Sequence, residues 1–296
     1  MIKEGIHLNM NSIILESDHI KLSILPDVGF KIASIIYKPK QKEFLFQPTL
    51  GKYDFPSYGD DFEKYDTSGM DEMLPTIDKC IYPEGKFKGN ELQDHGDLWS
   101  VPWDVSLVEN KVVGSVNLKS LPLKFQKTIS LESNNTIRMD YEVTNLSEEN
   151  IYYLWALHGL NVFNDYTQFI FSDEMKDVLN VANEDDLSQI DLQYLKNYGD
   201  ERSHKYYFTN EIKKGTVGLD YTDEKIKYII NYDPIINPYL GVWITKGGFK
   251  GEYNCALEPS NGFYDNLNNA YDKGKLPFLK SLEEKQWTIF IEISEY

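Results

Sequence analysis

The sequence predicts an all-β fold, a large antiparallel β-sandwich with few short helices. Three observations carry that expectation: period-two alternation of apolar and polar residues, polar turn clusters between the alternating runs, and weak helical periodicity. The clearest run sets Leu123, Phe125, Lys127, Ile129 and Leu131 against Lys124, Gln126, Thr128 and Ser130. After a polar break at Glu132-Ser133-Asn134-Asn135, Ile137, Met139, Tyr141 and Val143 share one face and Arg138, Asp140, Glu142 and Thr144 the other. These read as an antiparallel meander with one buried and one wet face.

The same pattern predicts strands over 20–25, 31–37, 111–118, 216–221, 226–232, 239–245, 251–258 and 286–294, with turns at Thr222-Asp223-Glu224 and Gly247-Gly248. Residues 151–159 are apolar on both faces and read as one central, covered strand. The best helical candidate runs from Glu184 to Asn197, where Leu187, Ile190, Tyr194 and Leu195 share a face. No composition shift, linker or repeat divides the chain, so residues 1–296 are expected to form one domain, its strands arranged as two stacked sheets. The long aromatic segment 51–103 joins strands, and such connections tend to carry function.

Among 296 residues, 47 acidic side chains against 30 basic ones give a formal net charge of −17. That balance argues against nucleic acid and anionic membranes as partners, since both attract Lys and Arg. Hydrophobic residues at 41% suffice for a large core. The chain opens without a secretory signal pattern and contains no apolar run of about 18 residues, so a cytoplasmic protein is expected. Cys80 and Cys255 form no CxxC motif and are expected to be free thiols. Nucleotide-binding glycine motifs and a GxSxG motif are lacking.

Five histidines are present. His7, His19 and His204 read as surface residues. His95, in Gln93-Asp94-His95-Gly96-Asp97-Leu98-Trp99 with Trp103 following, has carboxylates, a glycine and indoles around it. That mixture suits a sugar, whose hydroxyls meet polar groups and whose C–H face meets an aromatic ring. Residue chemistry equally allows tryptophans packed on the core beside a hydrogen-bonded histidine. His158 ends its strand before Gly159, as a core residue or as one opening into a cleft. By alternation it shares a face with Tyr152, Leu154 and Ala156. Glu258 shares a face with Asn254 and Ala256 and precedes Pro259, which marks it as a strand terminus. A buried carboxylate there needs a partner or a task. Asp71 and Glu72 are further loop acids that could bind hydroxyls. A metal reading through His95, Asp97 and His158 lacks a ligand spacing, and no metal or cofactor is expected.

Three segments in order, His95-Gly96-Asp97-Leu98-Trp99, Trp155-Ala156-Leu157-His158-Gly159 and Ala256-Leu257-Glu258-Pro259, resemble the galactose mutarotase (aldose 1-epimerase) superfamily. Gly69-Met70-Asp71-Glu72-Met73-Leu74-Pro75 resembles its less characterised branch. The resemblance covers nearly the full chain. It implies a β-supersandwich whose concave sheet holds a monosaccharide, and cofactor-free interconversion of α and β anomers. Carried over, Glu258 is the general base, His158 the general acid and His95 a sugar contact near the ring oxygen. Asp71, Glu72, Trp99, Trp155 and Asn254 are expected to contact the sugar. The superfamily's upstream arginine is missing, since Arg138 and Arg202 both follow His95. Lys79 is a candidate substitute, and Asp173 and Asp177 are candidates by position for the superfamily's binding aspartate. With two arginines a phosphate clamp is unexpected, so the expected substrate is a free, unphosphorylated sugar. A non-catalytic carbohydrate-binding or sensing protein is the alternative, and a lyase or isomerase of a modified sugar a third.

Overall fold

The computed structural model describes residues 1–183 and 185–296. Its larger sheet has eleven strands. Their order is Ile2–His7, Met10–Glu16, Ile20–Leu25, Lys31–Tyr37, Met70–Met73, Ala156–Gly159, Tyr253–Ser260, Tyr239–Lys246, Arg202–Phe208 and Val178–Asn180, with Lys42–Glu43 beside Lys31–Tyr37. The second sheet has eight, in the order Thr167–Ile170, Thr216–Tyr221, Ile226–Tyr232, Glu284–Glu295, Thr136–Asn145, Leu123–Ser133, Lys111–Asn117 and Asp104–Val108. Neighbouring strands in both are antiparallel. Alternation explains the second sheet directly: along Thr136–Asn145 every second residue is buried. Those buried side chains meet the inner face of the larger sheet in one apolar core. No helix of the described residues is long and apolar enough to cross a membrane.

Three expectations about elements change. The region 151–159 is not one strand: Ile151–Tyr152 pairs with Phe278–Leu279 in a separate small sheet, and only Ala156–Gly159 enters the large one. The expected helix at 184–197 is instead two 3₁₀ turns, Leu187–Gln189 and Leu195–Asn197; its first residue, Glu184, lies outside the described residues. The α-helix that does form, Leu267–Asp272, is capped by the Asn266 side chain, which accepts from the N–H groups of Asn268 and Asn269. Finally, segment 51–103 is more than a connection, because Met70–Met73 within it becomes a central strand.

That strand carries the main correction to the sugar-contact set. Consecutive strand residues point to opposite faces, so Asp71 and Glu72 part company. Glu72 enters the core between the sheets, 2.7 Å from Lys127 Nζ. It accepts from Tyr141 Oη at 3.0 Å and Trp155 Nε1 at 3.1 Å. Trp155 is fully buried in the same place, its ring 4.9 Å from Trp287. Neither Glu72 nor Trp155 is available to a sugar. Their role is structural, because a buried carboxylate without a counter-ion is costly.

Lys127→Met should therefore strand Glu72 without its cation and lower unfolding stability by about 3–5 kcal/mol. A double substitution, Lys127→Met with Glu72→Gln, should recover a large part of that loss. Urea denaturation with unchanged m-values is the check, and equal stability of wild type and Lys127→Met would refute the role.

Candidate active site

The site is built on the face of the larger sheet turned away from the second sheet, along one row of cross-strand neighbours. Asp71 is paired with His158. The pair Ala156↔Ser260 and the bridge Asn161↔Cys255 share one register, which puts His158 opposite Glu258. Glu258 is paired in turn with Gly241, and Gly241 with Tyr207. Between Ala156↔Ser260 and Asn161↔Cys255 no ladder pair forms among the described residues. Glu258 is not a strand terminus as expected, since its strand continues through Pro259 to Ser260. The proline does not interrupt this strand, and the reason lies in which way its nitrogen points. The Cys255 N–H is directed toward Asn161. By alternation the Pro259 nitrogen faces that same side, at a position where no ladder pair forms, so its missing N–H removes no bond.

A cavity of about 490 Å³ opens over this row, within the range of small-molecule sites. His95, His158, Asn254 and Glu258 all line it, with Lys205, Trp243 and Asp265. Lys205 forms an ion pair with Glu258 Oε2, and its ammonium is 3.9 Å from Asp265 Oδ1. Tyr207 donates its hydroxyl to Asp265. Glu258 Oε1 is buried and has no protein partner among the described residues. Gly241 makes this arrangement possible: a Cβ there would lie 2.9 Å from the Tyr207 ring and 3.2 Å from Glu258 Oε2. Burial pushes the Glu258 carboxyl above its ordinary range, and the Lys205 charge and hydrogen bond oppose that shift.

His158 is buried and its Nδ1 has no partner among the described residues. Burial, then the neighbouring positive groups His95, Lys205 and Lys31, hold its pKa well below the usual histidine value. It is therefore a neutral imidazole at neutral pH. His95 reaches the cavity from a left-handed backbone position, φ 56°, followed by Gly96 at φ 75°. A Cβ on Gly96 would lie 2.1 Å from the Leu74 carbonyl oxygen, so glycine is required for this close approach. The His95 ring stacks on Phe62 at 4.1 Å and lies 5.4 Å from the His158 ring. Its Nδ1 is 2.9 Å from Asp94 Oδ1. A carboxylate only accepts, so Nδ1 carries the proton and Nε2 is left for a ligand.

Other expected residues fall around the cavity. Trp99 lies behind its wall, packed edge-on against Phe62 and donating Nε1 to the Asp94 carbonyl. Asp71 lies on the cavity side of its strand but is buried beside Lys31, 3.2 Å from its ammonium. Burial pushes the Asp71 carboxyl up to about 6, against the pull of Lys31. Asn254 accepts from Trp243 Nε1 and donates to Glu252. Asp97 does not join the histidines: it accepts from Tyr58 and from the amides of Lys119 and Ser120. Lys79 is paired with Glu91 at the surface, and Asp173 and Asp177 are exposed and away from the cavity. His204, expected at the surface, is buried with its ring 5.4 Å from Tyr198. The residues sequence reasoning missed are Lys205, Asp265 and Asp78.

Similarity to solved structures settles the architecture. A protein of Synechocystis sp. PCC 6803 is 15% identical and matches over 100% of both chains with a TM-score of 0.73. A galactose mutarotase related enzyme from Lactobacillus acidophilus is 17% identical, covering 96% of this chain and 97% of that one, with a TM-score of 0.69. The chain has the galactose mutarotase-like fold. A galactose mutarotase-like protein from Clostridium acetobutylicum adds a match at 14% identity, 100% and 99% coverage and a TM-score of 0.72. No protein-family model and no curated protein sequence matches the chain. Within the mutarotase-like fold, the cation beside the candidate carboxylate is here Lys205, downstream of His158, and no arginine lines the cavity among the described residues.

Removing the Lys205 charge should release Glu258 from the strongest of the charges that hold its carboxyl down. In Lys205→Met the Glu258 carboxyl should titrate at higher pH than in wild type, read by ¹³C NMR of the side-chain carboxyl. An unchanged titration would show that Lys205 does not set the protonation of Glu258.

Proposed function

We propose that the protein is an aldose 1-epimerase-like isomerase that interconverts the α and β anomers of a free, unphosphorylated sugar. The observation that supports this reading best is the placement of His158 opposite Glu258 on one wall of a monosaccharide-sized cavity. Ring opening takes the proton from the anomeric hydroxyl, breaks the bond from C1 to the ring oxygen and delivers a proton to that oxygen. Rotation about C1–C2 and closure reverse the transfers. The Glu258 carboxylate is the acceptor for the hydroxyl proton, His158 delivers a proton to the ring oxygen, and His95 Nε2 binds near it.

The acid–base pair must hold one proton between its two members. Burial pushes the Glu258 carboxyl up and holds the His158 imidazole down; the productive state, which these shifts oppose, has Glu258 ionised and the proton on His158. A pH profile reports such a pair as a unit. Activity is lost in acid when the pair takes a second proton, and lost in alkali when the single proton leaves. The alkaline limb should lie above the ordinary carboxylate range and move further up in Lys205→Met.

A carbohydrate-binding protein without turnover is the second reading, favoured by the ion pair that occupies one oxygen of Glu258. The two separate in anomer-exchange NMR with a panel of free aldoses. Wild type should accelerate exchange, and Glu258→Gln should lower kcat by about 10²–10⁴-fold while leaving sugar binding largely intact. His158→Asn should lower kcat similarly. Binding without acceleration by wild type would establish the second reading.

A further inference from the structure

The productive state of the acid–base pair puts a positive charge on His158, an imidazole that burial and its positive neighbours hold neutral. A negative group must offset that charge, and the row across the sheet supplies one. His158 stands there between two carboxylates, Glu258 on one side and Asp71, its ladder partner in Met70–Met73, on the other. Directly paired residues share a face and hold their Cβ atoms about 4.5–5.5 Å apart.

Hydrogen-bonding capacity is left over on both members of this pair. His158 Nδ1 is buried without a partner, and neither oxygen of buried Asp71 accepts a hydrogen bond among the described residues. Lys31 does not supply one. Its ammonium donates to Asp66 at 2.7 Å and to the Ser68 carbonyl at 3.0 Å, and meets Asp71 as an ion contact at 3.2 Å. One ammonium is thus shared by two buried carboxylates, and a buried carboxylate needs hydrogen bonds as well as a counter-ion. The other charged groups near His158 cannot take this part. Lys31, Lys205 and His95 oppose its protonation. Among the acids, Glu258 has Lys205 as donor, Asp94 has His95 and Asp66 has Lys31, while Tyr53 lies against Lys31. Of these four carboxylates only Asp71 has no donor among the described residues.

Resting on the isomerase reading above, we propose that Asp71 is the positioning residue of the general acid, its carboxylate accepting the His158 Nδ1–H so that Nε2 is the nitrogen presented to the sugar ring oxygen. No hydrogen bond joins the two in the resting structure, and contacts of this kind are often long in an unliganded site and tighten in the substrate complex. The Nδ1 proton stays on the ring throughout. The proton that moves leaves Nε2 for the ring oxygen as the bond from C1 to that oxygen breaks. The carboxylate stabilises the imidazolium before that transfer and again when ring closure returns the proton. Asp71 does not line the cavity, so it acts on the sugar only through His158.

Long-range ¹H–¹⁵N NMR reads His158 directly, its signals assigned by their loss in His158→Asn, and anomer exchange of a panel of free aldoses reads the reaction. In wild type the neutral His158 ring should carry its proton on Nδ1. Asp71→Asn should lower kcat at least about tenfold per folded molecule while KM stays within about threefold, the split expected of a group that touches no sugar. A merely structural role sets neither the tautomer nor that split. A wild-type ring protonated on Nε2 overturns the proposal, as does a folded Asp71→Asn whose kcat falls by less than tenfold or whose loss lies in KM. Lys31 keeps Asp66 in this variant, so no buried ammonium is stranded; should the variant still fail to fold, the wild-type tautomer decides. If wild type accelerates no aldose, the isomerase reading fails by itself, and the tautomer still decides whether Asp71 holds the Nδ1 proton.

Discussion

Everything at the site depends on the register of one row of residues across the larger sheet. Ile32↔Met70 and Asp71↔His158 align Lys31, Asp71 and His158, and the next pairs carry the line through Glu258 and Gly241 to Tyr207. Residues directly opposite one another have Cβ atoms about 4.5–5.5 Å apart. Groups that are distant in sequence are thereby held together by backbone bonds rather than by flexible loops. A slip of one residue in any of these strands would turn its member of the row into the core. Lys205 joins from the same face, two residues along the strand from Tyr207.

The short strand Met70–Met73 shows how two charged networks can be separated by a single peptide. Asp71 projects to the face away from the second sheet, where Lys31 also reaches Asp66 at 2.7 Å and the Ser68 carbonyl at 3.0 Å. Glu72 projects between the sheets to Lys127. Each acid is buried and each has its own lysine, as the cost of buried charge demands. The strand is thus pinned from both faces, and it is the immediate neighbour of His158. Its position fixes how deeply His158 is buried, and so how far that imidazole is kept from protonation.

Legibility in the sequence follows the same physics. Strands with one wet face, such as Thr136–Asn145, announce themselves by alternation. Met70–Met73 does not: it is buried on both faces, four residues long, and half of it is carboxylate. Asp71 and Glu72 in sequence look like a polar loop, and treating them as one loses the rule that only one of them can face a ligand. Trp155 is separable from sequence, because alternation puts it on the face opposite His158. Lys205 carries no local signal: in Arg-Ser-His-Lys-Tyr-Tyr-Phe, neither charge nor alternation singles it out. Only pairing with Tyr239–Lys246, which itself pairs with the Glu258 strand, brings it to the carboxylate.

The absence of an arginine from the described cavity lining has a physical counterpart in Lys205. A guanidinium is a planar fork that engages both oxygens of a carboxylate, whereas an ammonium is a compact point charge. Beside Glu258 the distinction matters, because the lysine takes Oε2 and leaves Oε1 unpartnered among the described residues. A fork in the same place would occupy both acceptors and hold the charge more firmly, which is the wrong property for a group that must gain and lose a proton. Gly241 completes the argument from the backbone side. With no Cβ between them, the Tyr207 ring, the Glu258 carboxylate and the Lys205 ammonium converge over one residue. The carboxylate is thus held by a lysine on one oxygen and left without a protein partner on the other, the state that both proton transfer and hydroxyl binding require.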